Sequence, residues 1–314
     1  PAPAPAPAPA PAAPLNDPRS SARLFYSGHS LTDNPLPDYV ASIAQSLGTQ
    51  VWWNQQNTPG SPIRVRTRGS DTSVTTFPGY SNHRIPDILR AKAFIDELKA
   101  YEAMEGDQWP NLMVMALPND HTGGVRPGLP TARAMVADND LALGQIVEAI
   151  SKSRFWKNTV IFVIEDDSQG GWDHVSSYRT VGLVISPWSR LQKTVHTNYN
   201  QTSVVRTMEQ ILGMQPMNIG DATAMPMFDC FGETPDFSPY ETLPNQIALD
   251  EMNKNLSELK GPALHFAKKN MEPQFDRIDS GDDNLLNRII WFATKGDTPY
   301  PGKYAGKAEE GEEE

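Results

Sequence analysis

Residues 159–175 read Thr159-Val160-Ile161-Phe162-Val163-Ile164-Glu165-Asp166-Asp167-Ser168-Gln169-Gly170-Gly171-Trp172-Asp173-His174-Val175. The first six are mostly β-branched or aromatic and predict a fully buried strand. They run straight into Glu165, Asp166 and Asp167, then a Gly-Gly turn, then Asp173-His174. Acids crowded at the end of a buried strand repel one another and lose hydration, so something positive must sit between them. A divalent metal is the simplest candidate, with His174 brought back by the glycine turn. The competing reading is a solvated acidic loop that happens to contain a histidine.

Working outward, residues 112–117 form a second apolar run that also ends in chemistry, Leu117-Pro118-Asn119-Asp120-His121-Thr122-Gly123-Gly124. Between the two runs, residues 131–153 carry Met135, Leu141, Ile146 and Ile150 at helical spacing. A strand, a long helix and a strand predict a right-handed crossover in a mostly parallel sheet. The C-terminal ends of such strands lie along one edge, so the two acidic tips can converge. Taken alone, Asp120-His121 reads as a turn with an Asx hydrogen bond; paired with the second cluster, it reads as a ligand pair.

The rest of the chain frames this unit. Residues 1–14 alternate proline and alanine, an extended spacer that cannot form a packed core. Such spacers often tether domains outside the cytoplasm, so a periplasmic or secreted location is the expectation. Residues 24–26 read as a strand, residues 37–47 as a helix (Val40, Ile43, Ala44, Leu47) and residues 50–53 as another strand. A Gly, Pro, Ser and Thr-rich stretch at 58–82 marks a boundary. A helix is expected at 85–103, a strand at 180–186 and a helix at 203–212 closed by Gly213; residues after 214 look loop-rich until a helix near 285–292. The expected division is a linker at 1–14, a β-α-β fragment at 15–72, an α/β domain at 73–230, a C-terminal extension at 231–304 and an acidic tail at 305–314.

Across 314 residues the formal net charge is −11, which argues against nucleic acid or an anionic membrane as the main partner. No apolar run approaches the length of a membrane span. The single cysteine, Cys230, excludes an internal disulfide.

Ser27 to Asn34, with Gly28-His29-Ser30-Leu31 at its centre, resembles the first block of the SGNH (GDSL) hydrolases, which would make Ser30 a nucleophile. That family pairs its serine with a late Asp-x-x-His. The residues three before each histidine here are Tyr26, Tyr80, Pro118, Gly171, Lys193 and Pro262, and none is aspartate. A helix-capping hydroxyl is the alternative role for Ser30.

Residues 117–124, the helix after Thr131, the run Glu165 to Val175 and Met225-Pro226-Met227-Phe228-Asp229-Cys230 resemble the catalytic half of the alkaline phosphatase superfamily. The nearest likeness is to the bacterial phosphoesterases that include acid phosphatases and phospholipases C, over about residues 80–300. The resemblance implies an α/β fold, a mostly parallel sheet with helices on both faces, incomplete at its N-terminal side. It implies a phosphate-ester substrate and divalent cations, commonly zinc. Asp120, His121 and His174 would hold one metal well; Asp166 and Asp167 would serve a second, thinly. Glu165 and Asp173 would support them, and Arg179 would either hold a phosphate oxygen or neutralise Asp173. Where relatives continue with a further acid and histidine, this chain has Ser176-Ser177-Tyr178-Arg179. The family's own nucleophile precedes everything matched here, so turnover is expected to be weak or absent unless Ser30 or a metal-bound hydroxide replaces it; the rival readings are a serine esterase built on Ser30 and a non-catalytic remnant or binding protein.

Overall fold

Two amphipathic helices set the architecture. In helix α1 (Asp87–Glu102), Ala91, Phe94 and Leu98 recur at helical spacing; in α2 (Ala132–Ser151), Ala142, Ile146 and Ile150 do the same. These stripes face each other and bury a common core, closed at one end by Phe155 and Trp156. Trp109 stacks on Phe155 at 4.9 Å and meets Tyr101 and Phe94 edge-on. Each fully buried side chain of this kind contributes roughly 1.5–3 kcal/mol.

The computed structural model describes residues 21–26, 50–55, 85–165, 179–275, 282–296 and 298–300; of 21–26, 50–55 and 283 only the backbone is described. Strands β1 (Ser21–Tyr26), β2 (Gln50–Gln55) and β3 (Leu112–Val114) form a parallel sheet of order β2-β1-β3, with Ser21 opposite Gln50 and Leu24 opposite Leu112. Strand β1, from the N-terminal segment, is thus hydrogen-bonded to the strand that leads into Asp120.

The expectation of one mostly parallel sheet carrying both acidic tips meets a different arrangement. Strand β4 (Ile161–Ile164) pairs antiparallel with β5 (Gly182–Ile185), Ile161 opposite Ile185, so the described strands divide between two sheets. Unalternating apolar runs carry no period that specifies a partner or its direction, which is why the pairing was not legible. Nor is β4 fully buried: Ile161 and Ile185 pack on the α1–α2 core, while Ile164 is exposed. Only the start of the ribbon reaches the helices. The mixed α/β class stands.

Helix α3 (Gln201–Leu212) is capped by Asn200 and ends at Gly213, whose φ of 69° is the left-handed conformation glycine adopts freely. Helix α4 (Ile219–Ala222) follows. The stretch expected to be loop-rich also contains α5 (Gly261–Lys269), which packs on α6 (Asp283–Lys295) through stacked Phe266 and Phe292, 4.6 Å apart. No helix among the described residues is long and apolar enough to cross a membrane.

Candidate functional site

Where the chain leaves β3 it makes a single 3-10 turn, Asn119–His121. The turn puts Asp120 beside Glu165, the first residue after β4, close enough for the two side chains to interact. Two acids from different sheets therefore meet. Asp120 keeps an exposed edge, yet the surrounding protein withdraws enough water to raise its pKa, against the lowering effect of the His121 backbone N–H and of Glu165. The His121 ring Nδ1 lies 3.5 Å from the Thr122 carbonyl, a long contact that orients the ring with Nε2 as its second face.

The turn is held from below. Asn119 is buried, donating its backbone N–H to Asp87 Oδ2 at 2.9 Å and its side-chain amide to Asp138 Oδ2 at 2.7 Å. Asp138 also accepts the backbone N–H groups of Asp87 and Ile88, so α2 supplies the cap that Pro86 cannot give α1. Asn139 donates to Asp87 Oδ2 and to the Leu117 carbonyl, and Arg90 pairs with Asp87 at 2.8 Å. Asp87, Arg90, Asn119 and Asp138 are each at least nine-tenths buried.

From above, the C-terminal segment grips the loop that follows. Asn253 Nδ2 donates to the carbonyls of Gly124, Arg126 and Pro130 at 3.0–3.1 Å, and Asn270 accepts the Val125 N–H at 2.6 Å. Thr131 caps α2 and bonds Glu251, which also binds Arg133; these partners hold the Glu251 carboxyl down at about 2. Between the two supports, Thr122 sits at φ 61°, a costly conformation for a β-branched residue. Its hydroxyl accepts the Gly124 N–H.

A third element reaches the site from α3, where the Gln201 amide approaches the Glu165 carbonyl at 3.4 Å. The approach to that helix is pinned by Asp229 of the Met225 to Cys230 run, which accepts the hydroxyls of Thr197 and Tyr199. Burial, then the Asp229 charge, pushes the Tyr199 phenol up to about 12. Cys230 is buried, and burial raises its thiol. Arg179 is exposed.

Of the residues expected to carry chemistry, Asp120, His121 and Glu165 are described; Ser30, Asp166, Asp167, Asp173 and His174 lie outside the described residues. Among the described residues no group of three or more His, Cys, Asp and Glu is placed to hold a metal ion. Asp120, His121 and Glu165 are of the residue types that bind divalent cations, but the three by themselves are not placed around a common ion. Under the turn, Asn119 Oδ1 is buried with no hydrogen-bond partner among the described residues.

Asn119, Asp87, Asp138, Asn253 and Asn270 were missed in the sequence. One signal was there: Asp138 falls three residues after Met135 and four before Ala142, putting a charge on the buried face of α2. Asn253 and Asn270 act across more than 120 residues and leave no local trace.

Asp87 gives the site a pH signature. Burial pushes its carboxyl up from 3.8 to about 6, outweighing the Asn119 N–H and Arg90, which lower it. Between those values the folded chain binds more protons than the unfolded chain, so this group's share of stability falls as pH rises through the window. Denaturant midpoints at pH 4.5 and 6.5 should drop further for the wild-type chain than for Asp87→Asn; parallel shifts in both would remove the assignment.

The described residues form a mixed α/β scaffold in which Asp120, next to His121, meets Glu165 beyond two strand ends, an arrangement that by itself defines no reaction class. The comparison with known proteins points to one: residues 132–215, from α2 through β4 and β5 to the end of α3, match the model of the Phosphoesterase family. That stretch is under a third of the chain, and it supports phosphoester hydrolysis as the chemistry. No curated protein and no solved structure gives a match.

Proposed function

We propose that this chain is a metal-dependent phosphoester hydrolase of alkaline-phosphatase type, working outside the cytoplasm. The observation that carries the reading is the meeting of Asp120 and Glu165 side chains beyond the ends of two strands. Acids brought together from two strands, one of them partly withdrawn from water, are stabilised by a cation. The family match over residues 132–215 supplies the substrate class.

Asp120 and His121 would hold the cation, with His174 as a third ligand; Asp166 and Asp167 would hold a second, weaker one. Zinc suits an imidazole and carboxylate set. When bound, it neutralises charge on the attacking and leaving oxygens of the ester. The chain's own contribution is positional. The Asn119–His121 turn fixes two donors in sequence, and the Thr122 carbonyl orients the His121 ring. Glu165 lies against Asp120, and burial raises the Asp120 carboxyl, so a cation there would meet a carboxylate that the protein has made costly to leave uncompensated.

The test is turnover of nitrophenyl phosphate, bis-nitrophenyl phosphate and nitrophenyl acetate by the full chain, with zinc and with chelator. Phosphate-ester turnover that disappears with chelator and returns with zinc is the expected result. Acetate turnover indifferent to chelator would instead make this a serine esterase built on Ser30. No turnover of any of the three would overturn the catalytic reading.

A further inference from the structure

We infer that Asp138 and Asn119 are positioning residues of the cation site, acting as a two-step strut from α2 to the turn that carries Asp120 and His121. The inference rests on the metal-dependent reading above and extends it to side chains that do not themselves touch the reacting groups.

The geometry is one-directional. Asp138 is 4% exposed and Asn119 3%, so neither bond competes with water. Asp138 Oδ2 receives both the Asn119 side-chain amide and the Asp87 backbone N–H. The same carboxylate therefore sets where α1 begins and where the turn sits. Asn119 in turn donates its backbone N–H to Asp87 and its carbonyl accepts the Thr122 N–H at 3.0 Å. Asp120 and His121 lie between those two bonds. The backbone that carries both side chains cannot shift far without breaking one of them.

This arrangement also fixes the Asn119 amide. With its nitrogen committed to a carboxylate, its oxygen has one orientation, buried and without a hydrogen-bond partner among the described residues. An amide serving only to fill the core would be expected to satisfy both ends. A strut built from buried charge-assisted bonds keeps two ligands in register before any cation arrives, which is what preorganisation of a site requires.

The experiment measures zinc affinity by calorimetry, and cobalt absorption as a probe of ligand geometry, on the full chain. Variants are Asp138→Ala, Asp138→Asn, Asn119→Ala and Asp120→Ala, with Leu98→Ala as a control that weakens the distant core without touching the strut. Asp138→Ala and Asn119→Ala should each weaken zinc binding on the order of 10-fold or more and alter the cobalt spectrum. Asp138→Asn, which keeps one acceptor for the Asn119 amide, should recover most of that loss. Leu98→Ala should lower the melting temperature yet keep zinc affinity within about 2-fold. If Asp138→Ala does not fold, Asn119→Ala decides, since it leaves the Asp138–Asp87 contact in place. Unchanged affinity in Asn119→Ala while Asp120→Ala loses it would overturn the strut alone. Unchanged affinity in Asp120→Ala as well would overturn the metal reading beneath it.

Discussion

Replacing Asp120 should separate binding from stability in opposite directions. Asp120→Ala removes a cation ligand, so zinc-dependent turnover should fall on the order of 100-fold or more, and added zinc should no longer raise the melting temperature. Asp120→Asn keeps the shape and removes the charge. In the folded chain loss of water raises the Asp120 pKa, so its ionised form is disfavoured above that value. The neutral amide escapes that penalty and can donate an N–H to the Glu165 carboxylate. In chelator at pH 7, Asp120→Asn should therefore melt above the wild-type chain. With zinc at one hundred times its Kd the order should reverse, because the wild-type chain gains about 2.7 kcal/mol and the variant does not. Equal melting temperatures in chelator would remove the argument from crowded acids; equal responses to zinc would remove Asp120 from the ligand set.

Gly124→Ala should be the most damaging single-methyl change in the loop above the site. Gly124 holds φ 64°, and an added Cβ would lie 2.4 Å from Asn270 Oδ1, an oxygen already bonded to the Val125 N–H. Backbone strain and overpacking together should cost about 3 kcal/mol. Gly128→Ala is the matched comparison: its φ is 80°, but nothing lies within 4 Å of the added carbon, so it should cost about 1 kcal/mol. Asn253→Leu leaves the carbonyls of Gly124, Arg126 and Pro130 without their shared donor and should cost about 2–3 kcal/mol. Chemical denaturation of the three variants checks the order. Equal losses for Gly124→Ala and Gly128→Ala would show that the C-terminal segment does not grip the loop. If it does grip, Gly124→Ala and Asn253→Leu should also weaken zinc binding, because the loop begins one residue after His121.

Much of this was legible in the chain itself. The stripes of α1 and α2 follow helical spacing, and Thr131 and Gly213 mark a start and a stop by local chemistry. The acids at 120 and 165 announced themselves because charge directly after an apolar run is costly. The antiparallel partner of β4 was not legible, since four apolar residues carry no directional information. Helix α5 was hidden for a different reason: its Phe266 and Ala267 have meaning only once α6 packs against them.

What the sequence alone determined is the chemistry available: which residues bear carboxylates and imidazoles, and that they follow strands whose apolar runs end abruptly. Propensity and burial act over a few residues, so they can be read in one dimension. Tertiary structure alone decided that Asp120 meets Glu165, that Asp138 caps a helix 51 residues earlier, and that Asn253 and Asn270 close over the loop beyond His121. Those contacts join elements distant along the chain, and a hydrogen bond between them has no local cost or pattern until the fold has brought its two ends together.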